Sequence, residues 1–112
     1  MIIVTDKISR KELSDMCGLY GFDMVKAVAD INNGILAVDA ELHADLERLL
    51  LSEGSIQDDL WGFNIYPGEE GDDMVEFDSL INIRTRQNNR TRYVDDENVR
   101  NAIYELVKTK ID

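Results

Sequence analysis

The apolar residues of this chain form two kinds of pattern, alternation along short stretches and helical spacing along longer ones. Alternation, or a run of β-branched residues bounded by turn residues, predicts strands. The strands predicted in this way are 2–5 (IIVT), the two arms of a hairpin over 24–39, 59–67 (DLWGFNIYP) and 74–84 (MVEFDSLINIR). The pattern therefore predicts a sheet built largely from hairpins.

The hairpin over 24–39 has the clearest turn signal. Asn33 and Gly34 are typical of a two-residue type I′ turn, because both central residues of that turn adopt positive φ. This turn predicts that Ile31 pairs with Leu36. The side chains predicted to share the core face are Val25, Ala27, Ala29, Ile31, Leu36 and Val38, with Lys26, Asp30 and Asp39 on the other face.

Three further stretches have apolar residues at helical spacing, and each begins with a capping residue. Ser9 and Glu12 form a capping box at the start of the first helix. The predicted helices run from Ser9 to Gly21, from Asp39 to Gly54 and from Asp95 to about Lys110. The order β-α-β-β-α-β-β-α predicts an α+β, two-layer single domain over residues 1–112, with a mostly antiparallel sheet of four or five strands and three helices on one face.

Composition narrows the class of protein without identifying it. A chain of 112 residues, 44% of them hydrophobic and 31% charged, is expected to be an ordinary globular protein. Its apolar runs are too short to span a bilayer. Cys17 is the only cysteine, which excludes an intrachain disulfide and favours a cytoplasmic location. The net charge of −11 disfavours binding to nucleic acid but is compatible with a local cationic site.

His43 is the only histidine, and it lies four residues from both Asp39 and Glu47 on the predicted second helix. A histidine and carboxylates at this spacing can hold a divalent cation, or pair as a base and its orienting group. Alternatively, Asp39 caps the helix while His43 and Glu47 make an ordinary surface contact. The sequence leaves both interpretations open.

The loop before the last predicted strand is a second candidate for a cation site. The loop and the first part of that strand together carry six carboxylates, Glu69, Glu70, Asp72, Asp73, Glu76 and Asp78. Calcium prefers six to eight oxygen ligands from flexible loops, but the ligand order of an EF-hand is absent. A solvated acidic loop that discourages edge pairing explains the same residues.

Positive charge is concentrated in residues 84–92, which contain four of the twelve basic residues. Arginines beside amides suit bidentate binding of a carboxylate or a phosphate, and a loop between a strand and a helix is a usual place for such a site. The anion-binding candidates are Arg84, Asn89, Arg90 and Arg92. The alternative is internal: the arginines neutralise acidic groups of the fold, for example Asp78 by Arg84.

Three segments, GILAVDAELHADLE, DLWGFNIYP and EFDSLINIR…QNNRTR, resemble an uncharacterised family of small prokaryotic proteins that is known only as a domain of unknown function. The resemblance covers most of residues 24–100. It implies a small bacterial or archaeal protein, and it implies no activity, cofactor or catalytic residue.

Three hypotheses for function follow. The first is a non-catalytic protein that binds an anionic ligand or a protein partner through the arginines. The second is a divalent-cation binder that uses the acidic loop or the His43 row. The third is a metal-dependent hydrolase that combines the His43 row with the arginines, and it requires that the two lie close together. The sequence also leaves open whether Trp61 is buried in the monomer or lies at the edge of a homodimer.

Overall fold

In the computed structural model, which describes residues 1–20 and 23–112, five strands form one antiparallel sheet and three α-helices pack against it. In chain order the elements are β1 (Ile2–Val4), α1 (Arg10–Tyr20), β2 (Val25–Asp30), β3 (Ile35–Val38), α2 (His43–Ser52), β4 (Leu60–Ile65), β5 (Val75–Glu76) and α3 (Glu97–Lys110). The strands lie in the order β1-β3-β2-β4-β5. The predicted α+β class, antiparallel sheet and order of elements are confirmed, and the predicted stop at Gly21 lies outside the described residues.

Helices cover both faces of the sheet. One face carries the predicted core residues of the hairpin, and α1 and α3 contribute Leu13 and Ile103 to the same cluster. On the opposite face, Val28 and Ala37 are fully buried in a second cluster with Leu46 of α2. The helices therefore form layers on both sides of the sheet instead of the single layer predicted. The reason is that Val28 and Ala37 give the second face an apolar centre between its polar residues.

The β2–β3 hairpin has the predicted faces but a different register. Leu36 lies opposite Ala29 instead of Ile31, so the loop contains four residues, 31–34, instead of two. A shift of two residues keeps every side chain on its predicted face, because side chains alternate with a period of two.

The buried carboxylate of Asp30 explains the longer loop. It accepts hydrogen bonds from the backbone N–H groups of Asn32 and Asn33 at 3.1 and 2.9 Å, and the Ser55 hydroxyl donates to it at 2.6 Å. Burial alone raises the pKa of Asp30, but the hydrogen bonds from Ser55 and the two asparagines outweigh burial, so the pKa is lowered. The ionised side chain thus organises the turn at the end of β2.

The long strand predicted over 74–84 is present only as β5. Beyond it, Leu80–Asn82 form a short 3-10 turn, and the side chain of Asn82 takes the place of a strand partner beside β4. The Asn82 amide donates to the Gly62 carbonyl at 2.9 Å and accepts from the Gly62 N–H at 2.8 Å. Glycine is needed here, because a Cβ at position 62 would lie 2.5 Å from Ser79 Oγ.

Two predicted helix caps are displaced. The N-cap of α3 is Asp96 instead of Asp95, and its carboxylate accepts the N–H of Asn98 at 2.8 Å. The helix α2 begins at His43 instead of just after Asp39, whose backbone lies in the left-handed region at φ 77°. None of the helices in the described part of the chain is long and apolar enough to cross a membrane.

Trp61 is buried within the monomer. Its side chain is 4% exposed, and its strand, β4, pairs with β2 along all six residues. The sequence leaves open whether Trp61 is buried in the monomer or lies at a dimer edge, and the structure has it buried in the monomer.

Candidate functional site

Arg84 is an internal residue. Its Nε donates to Ile81 O at 3.0 Å, its Nη1 donates to Gln57 O and Gln87 Oε1, both at 2.9 Å, and its Nη2 donates to Leu60 O and lies 3.8 Å from Glu47 Oε2. Four of the five N–H donors of the guanidinium are thus used within the fold, and the residue is only 9% exposed. The group also lies over Trp61, with 4.5 Å between Cζ and the ring centroid. Arg84 has the internal role that the sequence left open, with Glu47 instead of Asp78 as its ion-pair partner.

Asn89 is also committed to the fold. It is 3% exposed, and its backbone forms an antiparallel bridge with Arg84. Its side-chain Nδ2 donates to the carbonyls of Asn82 (2.8 Å), Thr91 (3.2 Å) and Tyr93 (2.6 Å), and its Oδ1 accepts from Asp95 N–H at 2.9 Å. Both N–H donors of the amide are thus used within the fold, and none is left for an anionic ligand.

The other arginines of the loop are exposed. Arg86 forms an ion pair with Asp58. Arg92 donates through Nε to Asp78 Oδ1 at 2.5 Å. Arg90 makes no ion pair with any described residue. Of the four anion-binding candidates, Arg90 and Arg92 are thus the two with guanidinium N–H groups available to a ligand.

The three members of the predicted His43 row have different surroundings in the structure. Asp39 precedes α2, and its Oδ1 is buried without a hydrogen-bond partner among the described residues. Glu47 is on α2 but lies next to Arg84. The Nε2 of His43 lies 2.8 Å from the carbonyl oxygen of Phe63. Because a carbonyl can only accept, Nε2 carries the hydrogen, and the lone pair of the neutral ring is on Nδ1.

Three of the six carboxylates in and after the acidic loop likewise have individual partners, namely Glu70, Glu76 and Asp78. Glu70 pairs with Arg10 at 2.9 Å. Glu76 Oε1 accepts from Asn64 Nδ2 at 2.8 Å and from the Tyr66 hydroxyl at 3.0 Å. Across residues 1–20 and 23–112, no three histidine, cysteine, aspartate or glutamate side chains are grouped so that they could hold a metal ion.

His43 and Arg92, which belonged to separate hypotheses, line the same cavity of about 240 Å³. The cavity lies between the start of α2, the turn after β5 and the start of β2. Its lining residues are Lys26, Leu42, His43, Ala44, Ser79, Leu80, Ile81 and Arg92. The structure thus brings the histidine and one arginine together at a site where Lys26 supplies a second cation, and we refer to it as the Lys26–Arg92 cavity.

Electrostatics favours an anion in the Lys26–Arg92 cavity. Lys26 has no ion-pair partner among the described side chains, and Arg92 contacts Asp78 only through Nε, so its Nη groups remain available. His43 and Ala44 are the first residues of α2, where backbone N–H groups have no partner within the helix. The N-cap Leu42 provides no side-chain cap for them. The partial positive charge of a helix N-terminus adds to the two cations.

Burial keeps His43 neutral near pH 7. It lowers the pKa of the imidazole below the usual 6.5, and the charge of Lys26 lowers it further, against the opposing effects of the Phe63 carbonyl, Asn64 and Asp78. The unfolded chain therefore takes up a proton that the folded chain does not as the pH falls through about 6.5, so acidification lowers the free energy of unfolding.

We expect His43→Gln to lose part of this pH dependence. Urea unfolding at pH 7 and at pH 5 gives the change in the free energy of unfolding on acidification for each protein. Because this change is taken within one protein, any effect of the substitution that is the same at both pH values cancels. A smaller loss in the variant is expected because Gln cannot titrate. An equal loss in both proteins would contradict a buried, neutral His43.

Comparison with known proteins gives the family and no activity. A family model described as Protein of unknown function (DUF5674) matches residues 2–110. The chain belongs to this family. Membership of an uncharacterised family, expected from the resemblance of its central segments, is thereby confirmed. No curated protein and no solved structure matches the chain.

Lys26 is the cavity residue that the sequence did not reveal. A single lysine on the polar face of a strand is typical of an exposed position, and nothing in the residues around it indicates a site. Its place beside His43 depends on α2 packing across that face of β2, which is a long-range property of the fold.

Proposed function

We propose that this member of the DUF5674 family binds a small anionic ligand in the Lys26–Arg92 cavity. The observation that carries the proposal is the meeting of Lys26, Arg92 and the uncapped start of α2 around one cavity. These groups come from separate parts of the chain, and all of them present N–H donors. Charge-assisted hydrogen bonds from such donors bind carboxylates and phosphates.

The donors are available for this role, while two neighbouring carboxylates already have donors of their own. Asp78 accepts from Arg92, and Glu76 accepts from Asn64 and Tyr66. A cation entering the cavity would meet Lys26 and Arg92 first and would be repelled. This favours anion binding over the divalent-cation and metal-dependent hydrolase hypotheses.

We infer the cellular setting from the sequence. The lone Cys17 fits a reducing compartment, and the segments that resemble small prokaryotic proteins favour a bacterium or an archaeon. The ligand we propose is therefore a small anion of the prokaryotic cytoplasm.

The test compares two arginines of the same loop. We expect at least one of phosphate, acetate and butyrate to raise the melting temperature of the wild type, and the Kd to be measurable by calorimetric titration. Arg92→Gln should weaken this binding by about tenfold or more, because a hydrogen bond to a charged group contributes about 1.5–3 kcal/mol.

Arg90→Gln is the matched control. It makes the same change of charge two residues away, on an exposed side chain that does not line the cavity. Its Kd should equal that of the wild type. The proposal fails if none of the three anions binds, or if the two variants weaken binding equally.

A further inference from the structure

The walls of the Lys26–Arg92 cavity are apolar, although its rim is charged. Leu42, Ala44, Leu80 and Ile81 contribute to its lining. Leu42 and Leu80 are 60% and 65% exposed, which makes them two of the most exposed large apolar side chains in the described residues. Two exposed leucines on the walls of one cavity are suited to cover an apolar group of a ligand.

The size of the cavity limits that group. A volume of about 240 Å³ corresponds to roughly eight water molecules at about 30 Å³ each. It is smaller than the roughly 300–1,000 Å³ of cavities that hold drug-sized ligands. A carboxylate with a few carbon atoms therefore fits within the cavity.

The charge of the site favours one negative charge on the ligand. Lys26 and Arg92 contribute two positive charges, and Asp78, which is bonded to Arg92, contributes one negative charge. The remaining positive charge is balanced by a monoanion. A phosphate dianion would leave excess negative charge beside Asp78, and like charges repel.

We propose that the ligand is an apolar monocarboxylate, a short aliphatic acid whose carboxylate contacts Lys26, Arg92 and the first N–H groups of α2. Its hydrocarbon arm lies against Leu42, Leu80 and Ile81. This inference rests on the proposed function, since it assigns the chemical class of the anion bound at the same site.

A chain-length series tests the inference. We would measure the Kd of acetate, butyrate and hexanoate for the wild type by calorimetric titration. The affinity should rise about fourfold for each added methylene, the factor that corresponds to ~0.8 kcal/mol per buried CH₂. Leu80→Ser should reduce this dependence on chain length, because it weakens hexanoate binding more than acetate binding.

Ile83→Ser is the matched control, because Ile83 is 46% exposed and does not line the cavity. It should keep the chain-length dependence of the wild type. If affinity depends on Arg92 but not on chain length, or if phosphate binds more tightly than hexanoate, the inference is overturned and the proposed function stands. If none of the anions binds, both fail.

Discussion

We expect Arg84→Ala to lower the free energy of unfolding by about 3–5 kcal/mol, the usual cost of removing one partner of a buried ion pair. Glu47 would lose its counterion while its side chain is only 16% exposed. The carbonyls of Gln57 and Leu60 would lose their donor at the same time. Urea unfolding followed by circular dichroism measures the change.

Two further variants test whether the loss of stability in Arg84→Ala depends on the position of the arginine. Arg84→Lys keeps the charge but cannot make all four hydrogen bonds of the guanidinium, so its loss of stability should lie between those of Arg84→Ala and the wild type. Arg90→Ala removes the same side chain from an exposed position and should change the stability by less than about 0.5 kcal/mol. Equal effects of Arg84→Ala and Arg90→Ala would contradict an internal role for Arg84.

Asn82→Ala should lower the free energy of unfolding by about 3 kcal/mol, because each buried polar group left unpaired costs roughly 1–3 kcal/mol. The fully buried Asn82 side chain satisfies both the N–H and the carbonyl of Gly62, and it also donates to the Arg92 carbonyl at 3.1 Å. Alanine would leave the edge of β4 without a partner at this point. Thermal and urea unfolding of the variant measure the loss.

Asn101→Ala is the control for this variant, since Asn101 is exposed on α3 and alanine favours helices. It should leave the stability nearly unchanged. A loss below about 1 kcal/mol for Asn82→Ala would show that water or a shift of the chain can replace the Asn82 amide at Gly62.

Local patterns were sufficient to predict much of the fold. The capping box at Ser9 is present, with the Glu12 N–H donating to Ser9 Oγ at 3.1 Å, and alternation assigned the faces of β2 and β3 correctly. The hairpin register was not predictable from Asn33 and Gly34 alone, because Asp30 closes the loop with the help of Ser55, which is 25 residues away.

The same limit applies to the site. Arg84 and Arg90 are identical side chains in one polar loop, and only long-range contacts distinguish them. The acceptors that enclose Arg84 include carbonyls 27 and 24 residues away in the sequence. His43 and Arg92 were both recognised as candidates, but their meeting in one cavity depends on how α2 crosses the sheet.

The most direct test of ligand binding in the Lys26–Arg92 cavity is an NMR titration of ¹⁵N-labelled protein with hexanoate. The largest chemical-shift changes should occur at the backbone amides of His43 and Ala44 and at Nε of Arg92, which all belong to cavity-lining residues. Changes centred on Gln87–Asn89 instead, or no saturable change at any amide, would contradict the account.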